Sequence, residues 1–363
     1  MKKKIHFILP SGGIRGSFQA GFLYLLFTKY KDKFEIYQID GCSVGSLNGL
    51  LMCIDDPNYI KNMWLNFKTI NDIFPSQSEI YGLKKFISAV YSLNSLAYSN
   101  NNKIKQIISN NKHKVNMNLL SKYNCCTVNI DTGKEEYING SNENIFDYAL
   151  ASASPWILTP PIKINNNFYI DGALFNRDPI KNIKNSNADL ILVLGSNRNL
   201  DMRKDIYGKN LLEFSNRLIC LASSEKNIMN NNYLYKIEKE KNNIVVVDNL
   251  GLGDLSDTNL DYVENFIQEN LKLGKEEGEK FAKKYLINST SNNDGKKKLD
   301  YLSDDSNDSS DLSDFSDSND SNYNDENDKE YNLEDKDHKN KYKINKKLIQ
   351  NNMKKFKDLF SNK

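Results

Sequence analysis

The chain has 363 residues, enough for one large α/β domain or two smaller ones, and only 39% of them are hydrophobic, few for a wholly globular protein. Its net charge of +2 sums three blocks: +7 over residues 1–299, −13 over 300–335 and +8 over 336–363. The five cysteines (Cys42, Cys53, Cys125, Cys126, Cys220) are odd in number and lack CxxC spacing, which argues against a disulfide framework or a zinc site and for a reducing compartment.

The apolar run Ile5–Pro10 is too short for the roughly 7-residue core of a signal peptide, and no run approaches the ~20 residues of a membrane span. The expectation is an intracellular protein, soluble or bound peripherally to membranes. No nucleic-acid partner is expected, and the oligomeric state is not legible. Ile5–Pro10 reads instead as a buried strand ended by a Gly-rich turn. Gly16 to Tyr30 reads as a helix, Glu35–Asp40 as a second strand and Val44 to Cys53 as a buried helix. Strand, helix, strand, helix is the opening of a parallel sheet with covered faces.

Residues 57–112 read as mostly helical, a lid or cap. Cys125–Ile130 and Glu135–Ile138 flank Asp131-Thr132-Gly133, a hairpin signal. Strands are expected at Phe168–Ile170, at 188–195 and at Ile244–Val247, with helical patterns near 208–231 and 259–285. From about Asn288 the text is Ser, Asp and Asn. Residues 289–335 are too poor in apolar surface to offset their ordering entropy and are expected to be disordered. Within the basic stretch 336–363, Ile344, Leu348, Ile349, Met353 and Phe356 recur among lysines, as in an amphipathic helix that lies on a membrane, on a partner, or on nothing.

Three motifs carry chemistry. Gly41-Cys42-Ser43-Val44-Gly45 sits between a predicted strand and a predicted helix, where a nucleophilic serine needs a strained backbone and no side chains two residues to either side. Ser11-Gly12-Gly13-Ile14-Arg15-Gly16 follows the first strand, and its glycines let backbone amides converge on an oxyanion. The same loop nearly fits a dinucleotide fingerprint with Asp40 as the ribose acid, although Ser11 replaces the first glycine. Asp171-Gly172-Ala173 follows a third strand. Taken alone, an aspartate followed by glycine at a strand end is more often a turn residue than a catalytic acid.

Histidines restrict the mechanism. Of His6, His113 and His338, only His338 follows the acid, as a Ser…Asp…His order demands, and it lies in the tail. His6 and His113 read more simply as structural or surface residues. If Ser43 is a nucleophile, a carboxylate is the base at hand.

Ser-Gly-Gly-Ile-Arg-Gly (11–16), Gly-Cys-Ser-Val-Gly (41–45) and Asp-Gly-Ala (171–173) together resemble the three signatures of patatin-like phospholipases. Ala151-Ser152-Ala153-Ser154-Pro155 and Cys126 to Gly133 resemble two further stretches of that family. The resemblance covers about 4–285. It implies an α/β, three-layer patatin-like fold with a mostly parallel central sheet flanked by helices. It also implies a lipid acyl hydrolase acting on phospholipids or other acyl lipids at a membrane surface, with no cofactor and no metal. Ser43 would be the nucleophile, Asp171 its general base, and the amides of Gly12, Gly13, Ile14, Arg15 and Gly16 the oxyanion hole, with Gly41 and Gly45 shaping the elbow. An idle lipid-binding or scaffold protein of the same fold, and a dinucleotide enzyme, are the competing readings.

Overall fold

In the computed structural model the described residues are 2–73, 99–156, 158–196, 226, 228–251 and 263–287. The acidic segment 289–335, the basic stretch 336–363, most of the helical pattern 208–231 and the middle of 57–112 lie outside them.

Strand β1 (Lys3–Leu9) is buried on both faces from Ile5 onward, as a run of β-branched and aromatic residues inside a covered parallel sheet should be. Helix α1 (Gly16–Lys29) carries the chain to β2 (Phe34–Cys42), which pairs in parallel with β1. Helix α2 (Val44–Met52) follows at once. The cap expected at 57–112 begins as helix α3 (Pro57–Leu65), started by Asp56, whose side chain accepts the Asn58 amide, with Pro57 in the first turn. It continues through a single turn, Ile70–Ile73, and closes with α4 (Asn102–Asn111).

The predicted hairpin forms as β3 (Tyr123–Asn129) and β4 (Lys134–Asn139), in antiparallel register. Helix α5 (Ile145–Ser152), β5 (Ile162–Ile164) and β6 (Asn167–Asp171) follow. Strands β7 (Leu190–Ser196) and β8 (Ile244–Asp248) extend the parallel part beyond β1, and α6 (Val263–Phe281) packs on α1. The eight strands form one sheet, parallel through β3, β2, β1, β7 and β8, with antiparallel β4, β6 and β5 at the β3 end.

Two apolar cores cover the faces. The larger lies under α1, α2, α3 and α6 and includes Phe7, Phe18, Leu47 and Leu271; the smaller includes Ile8, Ile183, Val193 and Leu234. The result is the expected layered α/β architecture. Among the described residues no helix is long and apolar enough to cross a membrane. Cys42, Cys53, Cys125 and Cys126 are buried free thiols.

Candidate active site

Register explains how two residues so distant in sequence meet. β4 runs along one edge of β3 over residues 124–129, so β2 and β6 must share the other edge. β2 arrives in parallel and ends with Cys42 opposite Cys126, while β6 arrives antiparallel and ends with Asp171 opposite Thr127. The two strands therefore finish head to head, and the residues that follow them converge. Ser43 Oγ donates to Asp171 Oδ2 at 2.6 Å.

Ser43 occupies a left-handed, strained conformation, φ 57° and ψ −127°, of the kind that costs about 1–3 kcal/mol and persists only where its surroundings enforce it. The enforcement is visible. The Ser43 amide donates to Ser152 Oγ at 3.0 Å, and that hydroxyl donates to the Cys126 carbonyl at 2.6 Å, tying the elbow to β3 through the end of α5. The Ser43 carbonyl accepts from Ser46 and Leu47 in the first turn of α2. The glycines of the motif allow close backbone contact. A Cβ on Gly45 would lie 2.0 Å from the Leu9 carbonyl oxygen, and one on Gly41 2.6 Å from Ser46 Cα.

Asp171 is 4% exposed. Its Oδ1 accepts from the Ala173 amide at 2.8 Å, and its own amide donates to the Ser154 carbonyl. Burial pushes its carboxyl from the ordinary 3.8 up to about 7, against the opposing pull of the Ser43 hydroxyl, the Ala173 amide and the charge of Arg177.

The glycine loop comes off the end of β1 and turns through a 3₁₀ segment, Gly13–Arg15, with Gly13 at φ 55°. Ser11 donates its amide to the Arg177 carbonyl at 2.9 Å, Arg15 donates to Gly12 O at 3.1 Å, and the Gly16 amide donates to Gly13 and Ile14 carbonyls. Gly12, Gly13 and Ile14 line the same cleft as Ser43 and Asp171. A buried polar chain holds the loop from behind. Gln19 Nε2 donates to Pro10 O, Asn48 Nδ2 to Gly16 O and Gln19 Oε1, and Trp64 Nε1 to Asn48 Oδ1.

The cleft has a volume of about 120 Å³, and its other wall is apolar: Leu47, Met63, Trp64, Phe67, Ile73 and Ile104. Among the described residues no group of three His, Cys, Asp or Glu side chains gathers where a metal could be held.

Sequence reasoning did not single out Ser152 or Arg177. Ser152 stands inside the Ala-Ser-Ala-Ser stretch, yet nothing in the text says its hydroxyl faces the elbow. Arg177 lines the cleft, and its Nε lies 3.4 Å from Ser11 Oγ; a lone arginine six residues beyond Asp171 gives no signal. Asp40 is wholly buried, with His6, Gln38 and Asn124 donating to its oxygens. The dinucleotide reading thereby loses its ribose acid. His6 is buried in the same cluster, His113 is exposed in the single turn Lys112–Lys114, and neither lines the cleft.

An α/β sheet with an apolar cleft at its strand ends, and a serine bonded to a carboxylate within it, is a layout suited to handling lipid esters. Residues 7–183 match the family model of the patatin-like phospholipases. This part of the chain belongs to that family of lipid acyl hydrolases. No curated protein matches the chain in sequence. Among solved structures, that of VipD from Legionella pneumophila aligns over 76% of this chain and 67% of its own at 10% identity and a TM-score of 0.36, a likeness too loose to carry an argument.

Proposed function

We propose that the chain hydrolyses acyl esters of phospholipids or related lipids through a Ser43–Asp171 dyad, with no histidine, in a domain spanning about 4–285. The observation that carries this reading is the 2.6 Å hydrogen bond from Ser43 Oγ to a buried carboxylate. Ser43 attacks the ester carbonyl while its proton passes to Asp171 Oδ2. A carboxyl held near pH 7 is a far better acceptor than an ordinary aspartate, and nearly matched to neutral conditions.

The oxyanion falls to the amides of Gly12, Gly13 and Ile14, because those of Arg15 and Gly16 are engaged inside the 3₁₀ turn and that of Ser11 on Arg177. Collapse expels the alcohol, which takes the proton from Asp171 and leaves an acyl-serine. Water, deprotonated by the same carboxylate, releases the fatty acid. The apolar wall supports a long acyl chain as the group bound, and a membrane surface as its source.

The test is fatty-acid release from phosphatidylcholine vesicles and from a long-chain nitrophenyl ester. Ser43→Ala is expected to lower kcat by about 10⁴- to 10⁶-fold. Equal activity in the variant and the parent would sink the assignment.

A further inference from the structure

The described residues also hold an arrangement of hydroxyl, imidazole and carboxylate, on the sheet face opposite α1. His6 and Asp40 project to the side where Ile8 meets Ile180 and Ile183, both fully buried. His6 Nε2 lies 3.0 Å from Asp40 Oδ2, and His6 Nδ1 lies 3.0 Å from Ser186 Oγ. Asp40 Oδ1 accepts from Gln38 Nε2 at 2.9 Å and Asn124 Nδ2 at 2.7 Å.

Those partners assign the protons. A carboxylate that takes two amide donors on one oxygen is an acceptor on the other, so the neutral imidazole carries its hydrogen on Nε2. The Nδ1 lone pair then faces the Ser186 hydroxyl. Hydroxyl to imidazole to carboxylate is the order of a nucleophile, its base and the group that orients the base. The two ring nitrogens are exchanged relative to the usual serine-protease arrangement.

Two features exceed what a structural histidine needs. Ser186 is half-buried rather than enclosed, and among the described residues its Oγ meets, besides His6, only a long 3.4 Å contact from the Ala188 amide. The cluster borders a polar cleft: Gln38 and Asn124, which bond Asp40, line it with Tyr37, Lys122 and Asn182, and so does Asn185, the residue before Ser186. These amides and the Lys122 ammonium suit a polar ligand, whereas the lining of the Ser43 cleft is mostly apolar.

We infer that Ser186 is a histidine-activated nucleophile in a second site, one that takes small polar esters rather than lipids. Ser186 Oγ attacks the carbonyl carbon as its proton moves to His6 Nδ1, and Asp40 balances the imidazolium. The tetrahedral adduct expels the alcohol, which leaves with the proton from Nδ1, and water repeats the cycle on the acyl-serine. The site stands independently of any role for Ser43.

The experiment is treatment of full-length Ser43→Ala protein with a fluorophosphonate bearing a polyether tail, followed by peptide mapping. Phosphorus gains the serine oxygen, fluoride departs, and the proton goes to His6. The expected result is one phosphonyl adduct at Ser186, with the exposed Ser109 and Ser141 unmodified. His6→Gln added to this background, with near-UV circular dichroism reporting the fold, should slow labelling of Ser186 by about 10²-fold. Labelling of Ser186 no faster than that of Ser109 overturns the inference even if the His6 variant fails to fold. So does labelling that a folded His6→Gln protein leaves unchanged.

Discussion

The cleft around Ser43 has a floor and a roof built on different principles. The floor is backbone: a glycine loop, an elbow and a strand end, each fixed by register or by a named hydrogen bond. The Ser43 amide is held by Ser152, the Ser11 amide by Arg177 and the Asp171 amide by Ser154. The roof is side chains from α3, the residues after it through Ile73, and α4, where Met63, Phe67, Ile73 and Ile104 meet the cleft as apolar surface. Hydrogen bonds hold positions to fractions of an ångström, which proton transfer demands. Apolar contact is non-directional and tolerates varied shapes. The floor therefore sets the reaction and the roof sets which acyl group enters.

The largest effect that tests this division is at the floor. Asp171→Asn keeps shape and hydrogen-bonding capacity but removes the base, and kcat is expected to fall by about 10⁴-fold. In the parent, kcat/KM should rise with pH and level off above about 7, as Asp171 loses its proton. Stability moves the other way. Between the ordinary carboxyl value of 3.8 and about 7, the folded chain holds a proton that the unfolded chain has released. The unfolding free energy thus declines as pH rises across that window, then stays flat. Asp171→Asn lacks this loss, so at pH 8 it should be more stable than the parent, by up to about 4 kcal/mol. Urea titrations at pH 5 and pH 8 check it. A variant equally destabilised at both would mean that the carboxyl is not strained by burial.

Ser152→Ala removes the acceptor of the Ser43 amide and the donor to Cys126 O without touching the reacting groups. Leaving those buried partners unpaired costs about 1–3 kcal/mol. The elbow, already strained, is the element most ready to relax. A tenfold to hundredfold drop in kcat at little change in KM is expected, while Ser152→Thr, which restores the hydroxyl, should recover most of it. A rise in KM alone would place Ser152 on the roof side of the division.

The same contrast explains what could be read from the text. The floor was legible because backbone chemistry leaves composition marks: Gly41 and Gly45 where Cβ atoms collide, Gly13 at positive φ, Asp171 after a strand. The order of strands and helices through Met52 was legible for a similar reason, since buried parallel strands and their crossover helices have distinct apolar periods. The roof was not. Nothing in the sequence singles out Met63, Phe67 or Ile104, and only packing decides that they border a cavity. Nor was the head-to-head meeting of β2 and β6, because register along β3 is a pairing of distant segments. Histidine counting weighed against a triad at Ser43 but could not see that His6 lies between Asp40 and Ser186, since the three come from separate stretches.

On the roof, Ile104→Val removes one methylene from the cleft wall. The expected cost is about 1 kcal/mol, or about fivefold in kcat/KM for long acyl chains. A short-chain ester, which does not reach α4, should be hydrolysed at the parent rate. Equal loss on both esters would show that Ile104 acts on the floor after all.

The smallest effect is expected at the start of the roof, and it separates helix stability from cleft shape. Asp56 caps α3 by accepting the Asn58 amide at 3.0 Å, and Asp56→Ala should cost about 1 kcal/mol of folding stability. Activity should not follow. Fraying is confined to the first turn, where Pro57 already fixes the backbone. Trp64 stands in the last turn, and its indole N–H is anchored 3.0 Å from Asn48 Oδ1 on α2, the helix that begins at the elbow. The cleft end of α3 is thus secured by the floor rather than by its own cap. Thermal unfolding should show the loss of stability, with kcat and KM for the long-chain ester unchanged. A shifted KM would mean that α3 moves as one rigid piece, and the roof would then owe its shape to helix ends instead of to the hydrogen bond at Trp64.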